Sequence, residues 1–241
     1  MRKYLPQLAV AAAALVSVGV AQAVVLDFDH AIDTSFAPFA PLLNHTSEMQ
    51  TQGYWVDMFS TKSGATAGDL VGALIDGADL SSYCVGLVCP TNNSTHFLAA
   101  LNDGLPDIGR LDGATFKVTK FDASFIAASG DVVLPTALLL RVEGYGPTSL
   151  LVSEDIYLPG PVAGAYSFAT YTLGAAFANT AINEIAFRGY ACTTPTTCTR
   201  SLDKAQFGID NITAVPEPSA WLMLGVGLIG VGAMVRRRSA A

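Results

Sequence analysis

Between residues 24 and 215 the chain is a series of short apolar–polar alternations punctuated by Gly, Pro, Asn and Asp. Residues 53–59 place Tyr54, Val56 and Met58 on one side and Trp55 and Phe59 on the other. Residues 114–122 set Phe116, Val118 and Lys120 against Lys117, Thr119 and Phe121, and residues 136–143 form a nearly continuous apolar run. Residues 24–29, 149–153, 165–173, 184–190 and 205–215 complete the series. A side-chain period of two predicts strands, and their regular spacing between turn signals predicts an all-β sandwich. No long amphipathic helix is present, and Leu98–Leu101 reads as one helical turn.

The two ends follow a different pattern. Arg2 and Lys3 precede an apolar stretch from Leu8 to Val20, and Ala21-Gln22-Ala23 is an A-x-A cleavage site. Residues 1–23 therefore read as a signal peptide. At the other end, Pro216-Glu217-Pro218 leads into an apolar run at about residues 220–235, followed by Arg236-Arg237-Arg238. As a transmembrane helix that run spans about 24 Å, and the arginines can snorkel to complete the crossing. The positive-inside rule keeps the arginines cytoplasmic and puts the body of the protein on the far side. The expected organisation is a signal peptide (1–23), an ectodomain (24–213) and a C-terminal signal (214–241).

Pro216-Glu217-Pro218, the apolar helix and Arg236-Arg237-Arg238 together resemble the PEP-CTERM sorting signal of Gram-negative bacteria that make exopolysaccharide. That resemblance implies passage through the inner membrane, processing by an exosortase, and delivery to the cell surface or extracellular matrix. The Gln206-Phe207-x-x-Asp210 sequence, with Phe121-Asp122-Ala123-Ser124-Phe125 and the Cys84…Cys89-Pro90 loop, also resembles a PEP-CTERM subgroup that shares a common ectodomain. In outline the domain is similar to exported jelly-roll domains, whose first and last strands are neighbours.

Charge and cysteine usage narrow the partners. The chain has 13 basic and 20 acidic residues and a net charge of −7. Five of the basic residues lie in the two terminal signals, so residues 24–218 carry 8 against 20, a net of −12. An acidic body excludes nucleic acid, which requires a basic patch, and suits calcium or neutral glycans. Cys84, Cys89, Cys192 and Cys198 are an even set in an oxidising compartment. Of the three possible pairings, two local disulfide loops are the economical choice. A zinc site lacks the usual C-x2-C spacing and a histidine pair.

Asp27, Asp29 and Asp210 are the metal candidates: if the first and last strands pair, three carboxylates approach one another, and jelly-roll carbohydrate-binding modules hold a structural calcium in such a place. Trp55, with Tyr54 beside it, is the candidate sugar platform, because a pyranose C–H face stacks on a flat ring. The competing reading places Trp55 in the core. His30, His45 and His96 fit no metalloprotease spacing, no G-x-S-x-G elbow occurs, and Glu154-Asp155 reads as an acidic turn, so catalysis is not expected. The sequence points to an exported structural or adhesive protein of the exopolysaccharide matrix or biofilm. The alternative is a calcium-dependent carbohydrate-binding module, and less favoured is a glycoside hydrolase.

Overall fold

The computed structural model describes residues 22–30, 32–38, 40–130, 136–194, 197–199 and 204–217. Ala23–Pro216 forms one compact unit. In chain order its first strands are β1 (Val24–Leu26), β2 (Ile32–Asp33), β3 (Leu42–Asn44), β4 (Ser47–Thr51), β5 (Tyr54–Ser60) and β6 (Leu70–Asp76). A single helical turn, α1 (Leu80–Tyr83), precedes β7 (Leu87–Val88), β8 (His96–Ala100), β9 (Gly104–Arg110), β10 (Phe116–Ala128), β11 (Thr136–Tyr145), β12 (Leu150–Pro159) and β13 (Ala169–Thr172). A second turn, α2 (Ala175–Ala178), is followed by β14 (Glu184–Thr194), β15 (Thr197–Thr199) and β16 (Gln206–Pro216).

The strands form two sheets whose named pairs are all antiparallel. The first runs β13-β10-β16-β8-β6-β3, with β1 on β16 and β7 on β10; the second runs β12-β11-β14-β9-β5-β4-β2, with β15 on β14. This is the expected all-β sandwich. First and last strands are neighbours, Leu26 opposite Ile212 and Val24 opposite Ala214. The core between the sheets is built from the inward positions of each strand: Tyr54, Val56 and Met58 of β5, Leu138, Leu140 and Val142 of β11, and Phe207, Ile209 and Ile212 of β16. Phe121 meets Phe187 across it edge-to-face, 5.1 Å between centroids.

Three local expectations are corrected. Leu98–Leu101 is not helical: residues 96–100 are β8, a central strand buried on both faces, so it shows no alternation. In β10 the pairing with β16 slips between Val118 and Lys120 and again between Lys120 and Asp122. This irregularity turns Phe121 inward and leaves Lys120 exposed, reversing the strict alternation. Finally, β16 extends to Pro216, opposite Phe116, so the last strand crosses the expected boundary at residue 213.

The outer faces of the two sheets differ. That of the first sheet is partly covered. Ala73 and Ile75 of β6, Phe97 and Ala99 of β8 and Ile126 of β10 form a second apolar cluster with Cys89 and Leu101. Leu80, Cys84, Leu87 and Phe168 pack over it. The Cys84–Cys89 disulfide closes this covering loop, and Cys192–Cys198 ties β14 to β15, so both local pairings are observed. Among the described residues no helix is long and apolar enough to cross a membrane. Residues 1–21 of the expected signal peptide, the helix at residues 220–235, Pro218 and Arg236–Arg238 lie outside the described residues.

Candidate functional site

The outer face of the second sheet carries most of the chemistry. Antiparallel register puts directly opposite residues on the same face, so rows can be read across strands. One row is Gln50 (β4), Trp55 (β5), Gly109 (β9), Glu184 (β14) and Tyr145 (β11). The next is Glu48, Asp57, Asp107, Ala186 and Glu143 on the same strands. At a strand spacing of about 4.8 Å, Trp55 and Tyr145 stand about 14 Å apart across the sheet.

Trp55 is not a core residue. It is half-buried, and its indole lies over Gly109: a methyl group there would sit 2.3 Å from Trp55 Cζ2 and 2.6 Å from Cε2. Only glycine clears the sheet surface enough for the ring to settle on the backbone. Tyr54, the other proposed ring, faces the opposite way. It is 2% exposed, edge-to-face with Phe116 at 5.4 Å, and is removed from the binding candidates. The alternation of β5 dictates this, since adjacent residues cannot share a face.

The polar groups of this face divide into those with a basic partner and those without one, Glu48 accepting from Gln50 Nε2 at 2.6 Å. Arg141 makes a two-pronged ion pair with Asp155, at 2.6 and 2.8 Å, and lies 5.5 Å from the Tyr190 ring centroid. Glu143 accepts from Tyr145 Oη at 2.8 Å and from Arg188 at 3.3 and 3.4 Å. Among the described residues, Glu48, Asp57, Asp107 and Glu184 face no basic partner within ion-pair distance. Asp57 is pushed up to about 6 by burial, then by Glu48 and Glu184. Asp107 is pushed up to about 7 by burial, then by Glu184 and Asp57. Asp107 Oδ1 is sealed from solvent and has no hydrogen-bond partner. Like charges directly opposite in a sheet are destabilising, so this row costs the fold stability.

A second polar region lies on the first sheet. Asp210 is fully buried; its Oδ2 accepts from Asn93 Nδ2 at 2.8 Å and its Oδ1 from the Asn211 N–H at 2.7 Å. Asp122, opposite it, accepts from Asn211 Nδ2 at 2.9 Å and Thr170 Oγ1 at 2.6 Å. Burial, then Asp29 and Asp122, push Asp210 up to about 7, although its hydrogen bonds from Asn93 and Asn211 oppose the shift. A cleft of about 340 Å³ opens beside Asp122, Asn93, Thr170 and Asn211. The expected set Asp27, Asp29 and Asp210 does not converge. Asp27 is turned to His30 at 2.8 Å, and Asp29 accepts from the His96 N–H at 2.8 Å. Among the described residues no group of three or more His, Cys, Asp or Glu side chains is placed to hold a metal. Successive β12 residues Glu154 and Asp155 also part company: Glu154 accepts from the Gly174 N–H, whereas Asp155 pairs with Arg141.

Comparison with known proteins settles the C-terminal segment. Residues 214–238 match the PEP-CTERM protein-sorting motif. The chain carries a PEP-CTERM sorting signal. The protein is therefore an exported surface protein sorted by an exosortase. The signal begins inside β16, whose residues Ala214–Pro216 pair with β10. Among curated proteins nothing matches the chain. Solved structures similar to it include CBM27-1 of Caldicellulosiruptor saccharolyticus, in complex with mannohexaose, at 12% identity and a TM-score of 0.37, covering 82% of this chain and 99% of that one. The CBM22-2 xylan-binding domain of Paenibacillus barcinonensis Xyn10C is similar at 11% identity and a TM-score of 0.32, covering 80% and 99%. TmCBM61 in complex with β-1,4-galactotriose is similar at 7% identity and a TM-score of 0.34, covering 67% and 88%.

Proposed function

We propose that this PEP-CTERM protein is a non-catalytic adhesive component of a Gram-negative exopolysaccharide matrix or biofilm, and that its ectodomain binds glycan on the outer face of the second sheet. The observation that carries the reading is Trp55. A large ring lies over a glycine in the middle of a sheet face, ringed by polar side chains, while the opposite sheet's outer face is partly covered by the Cys84–Cys89 loop. A sugar C–H face stacks on such a ring, and Gln50, Glu184, Tyr145 and Asp57 stand in reach of hydroxyls on a short oligosaccharide. The test is isothermal titration of the full-length protein, held in mild detergent, with the producing cell's own exopolysaccharide. Saturable binding that Trp55→Ala abolishes supports the reading; equal binding by both proteins rejects this face.

A calcium ion is proposed at Asp210 and Asp122, with its other ligands from carbonyl and water oxygens. The fully buried carboxylate of Asp210 opposite Asp122 is the supporting observation. Its role is structural, joining the ends of the domain. The sorting reading has its own test. Mass spectrometry of the surface form should find a C-terminus near Pro216–Pro218, and a surface form that retains Arg236–Arg238 would contradict exosortase processing.

A further inference from the structure

Resting on that glycan-binding reading, we propose that the Trp55 face selects glycans bearing protonated amino groups, 2-amino-2-deoxyhexosyl units, and seats the ammonium between Asp57 and Asp107. Two features of the sheet face meet here. The first is the indole spread over Gly109, a flat apolar seat for a pyranose ring. The second is the carboxylate row immediately beside it. Asp57 is opposite Asp107 and Glu48 is opposite Asp57, while Glu184 is opposite Gly109 on the indole's own row.

The charges facing these groups come from four strands. Glu48 lies on β4, Asp57 on β5, Asp107 on β9, and Glu184 and Arg188 on β14. Arg188 is committed to Glu143. No other lysine or arginine makes an ion pair with the row among the described residues. Asp107 Oδ1 is shut off from water and has no donor, so nothing in the fold compensates the charge at this pair. A neutral sugar hydroxyl leaves the like-charge repulsion in place, an ammonium removes it, and a uronate adds to it. Burial at the two carboxylates makes the field at the seat stronger than in bulk water.

The test is titration calorimetry of the full-length protein in mild detergent at about pH 6.5, where an amino glycan carries charge. The probes are glucosamine hexamer, its N-acetylated counterpart, cellohexaose, a galacturonate hexamer and poly-L-lysine. The expected result is about tenfold tighter binding of the amino hexamer than of either uncharged hexamer, with no binding of the uronate. The Asp57→Asn/Asp107→Asn double variant should bring the ratio of amino-hexamer to cellohexaose affinity from about ten down to about one. Asparagine keeps the side-chain shape and relieves repulsion, so the fold is retained. Salt at about 0.5 M should erase the preference. If all hexamers bind alike and the double variant behaves as wild type, charge selection is wrong while the glycan face stands. If no hexamer binds and poly-L-lysine does, through Asp57 and Asp107, the face takes a basic peptide and the proposal is overturned. If nothing binds, both this proposal and the glycan reading fall.

Discussion

Replacing Asp107 by asparagine should make the protein more stable, by an amount that grows as the pH rises from about 4 to about 7. Burial and the neighbouring carboxylates push this group from 3.8 up to about 7. A carboxylate raised in the folded state contributes stability that is fully present below 3.8 and lost as the pH rises through about 7. At pH 8 the ionised folded form therefore bears the whole shift. Three pKa units correspond to about 4 kcal/mol, and sharing of the repulsion with Asp57 and Glu184 reduces the recoverable part to about 2–4 kcal/mol. For a domain of this size, 1 kcal/mol moves the melting temperature by about 2–4 °C, so Asp107→Asn should raise it by roughly 5–10 °C at pH 8. Near pH 4.5 the folded wild type is protonated at this site and the gain falls to about 1 kcal/mol or less. Asp57, pushed to about 6, and Asp210, pushed to about 7, act in the same direction, so the wild type itself loses stability from pH 5 to pH 8. Circular dichroism melts of wild type and variant at both pH values decide the matter. A variant less stable at pH 8, or one shifted equally at both pH values, would refute the reasoning. A stabilising substitution at a site of this kind is what a position retained for binding predicts.

Gly109→Val places a Cβ 2.3 Å from Trp55 Cζ2 and must lift the indole; glycan affinity should drop by about tenfold or more while the far-UV spectrum is unchanged, as measured by titration and circular dichroism. Cys84→Ser/Cys89→Ser opens a five-residue separation and should cost about 2 kcal/mol in a urea melt, more than the Cys192/Cys198 double variant, because Cys89 is packed in the smaller apolar cluster and β15 lies at a sheet margin. Millimolar calcium should raise the melting temperature of the wild type and not of Asp210→Asn, and identical melts in calcium and in EDTA would remove the calcium site.

The sandwich was legible wherever strands have one wet face. In β5 and in the inward positions of β16 the alternation maps directly onto burial. Strands β3, β4, β6, β8 and β9 were not, each for a physical reason. Ser47–Thr51 contains one apolar residue, so its inward Ser47 and Thr51 look like loop. His96–Ala100 is apolar on both faces. Gly104–Arg110 carries two glycines and Pro106, a residue beyond the last pair with β14, where the strand needs no donor on that side. Trp55 was identifiable as a ring of interest, but its setting was not. Gly109, Asp107, Glu48 and Glu184 meet it only through the pairing of four strands, and register is not written in local sequence. The same limit misassigned the acidic corner: Asp27, one turn of alternation from Asp29, points to His30, whereas Asp122 arrives opposite Asp210 through strand pairing.

The central claim is that Trp55 is a glycan platform, and its own fluorescence tests it most directly. Trp221 is the chain's other tryptophan, so a Trp221→Phe background isolates the signal. Titrating that full-length protein with the producing cell's exopolysaccharide should shift the emission to the blue and saturate, with the same midpoint as calorimetry. Emission that stays constant while calorimetry reports binding would place the glycan elsewhere on the molecule and contradict the account.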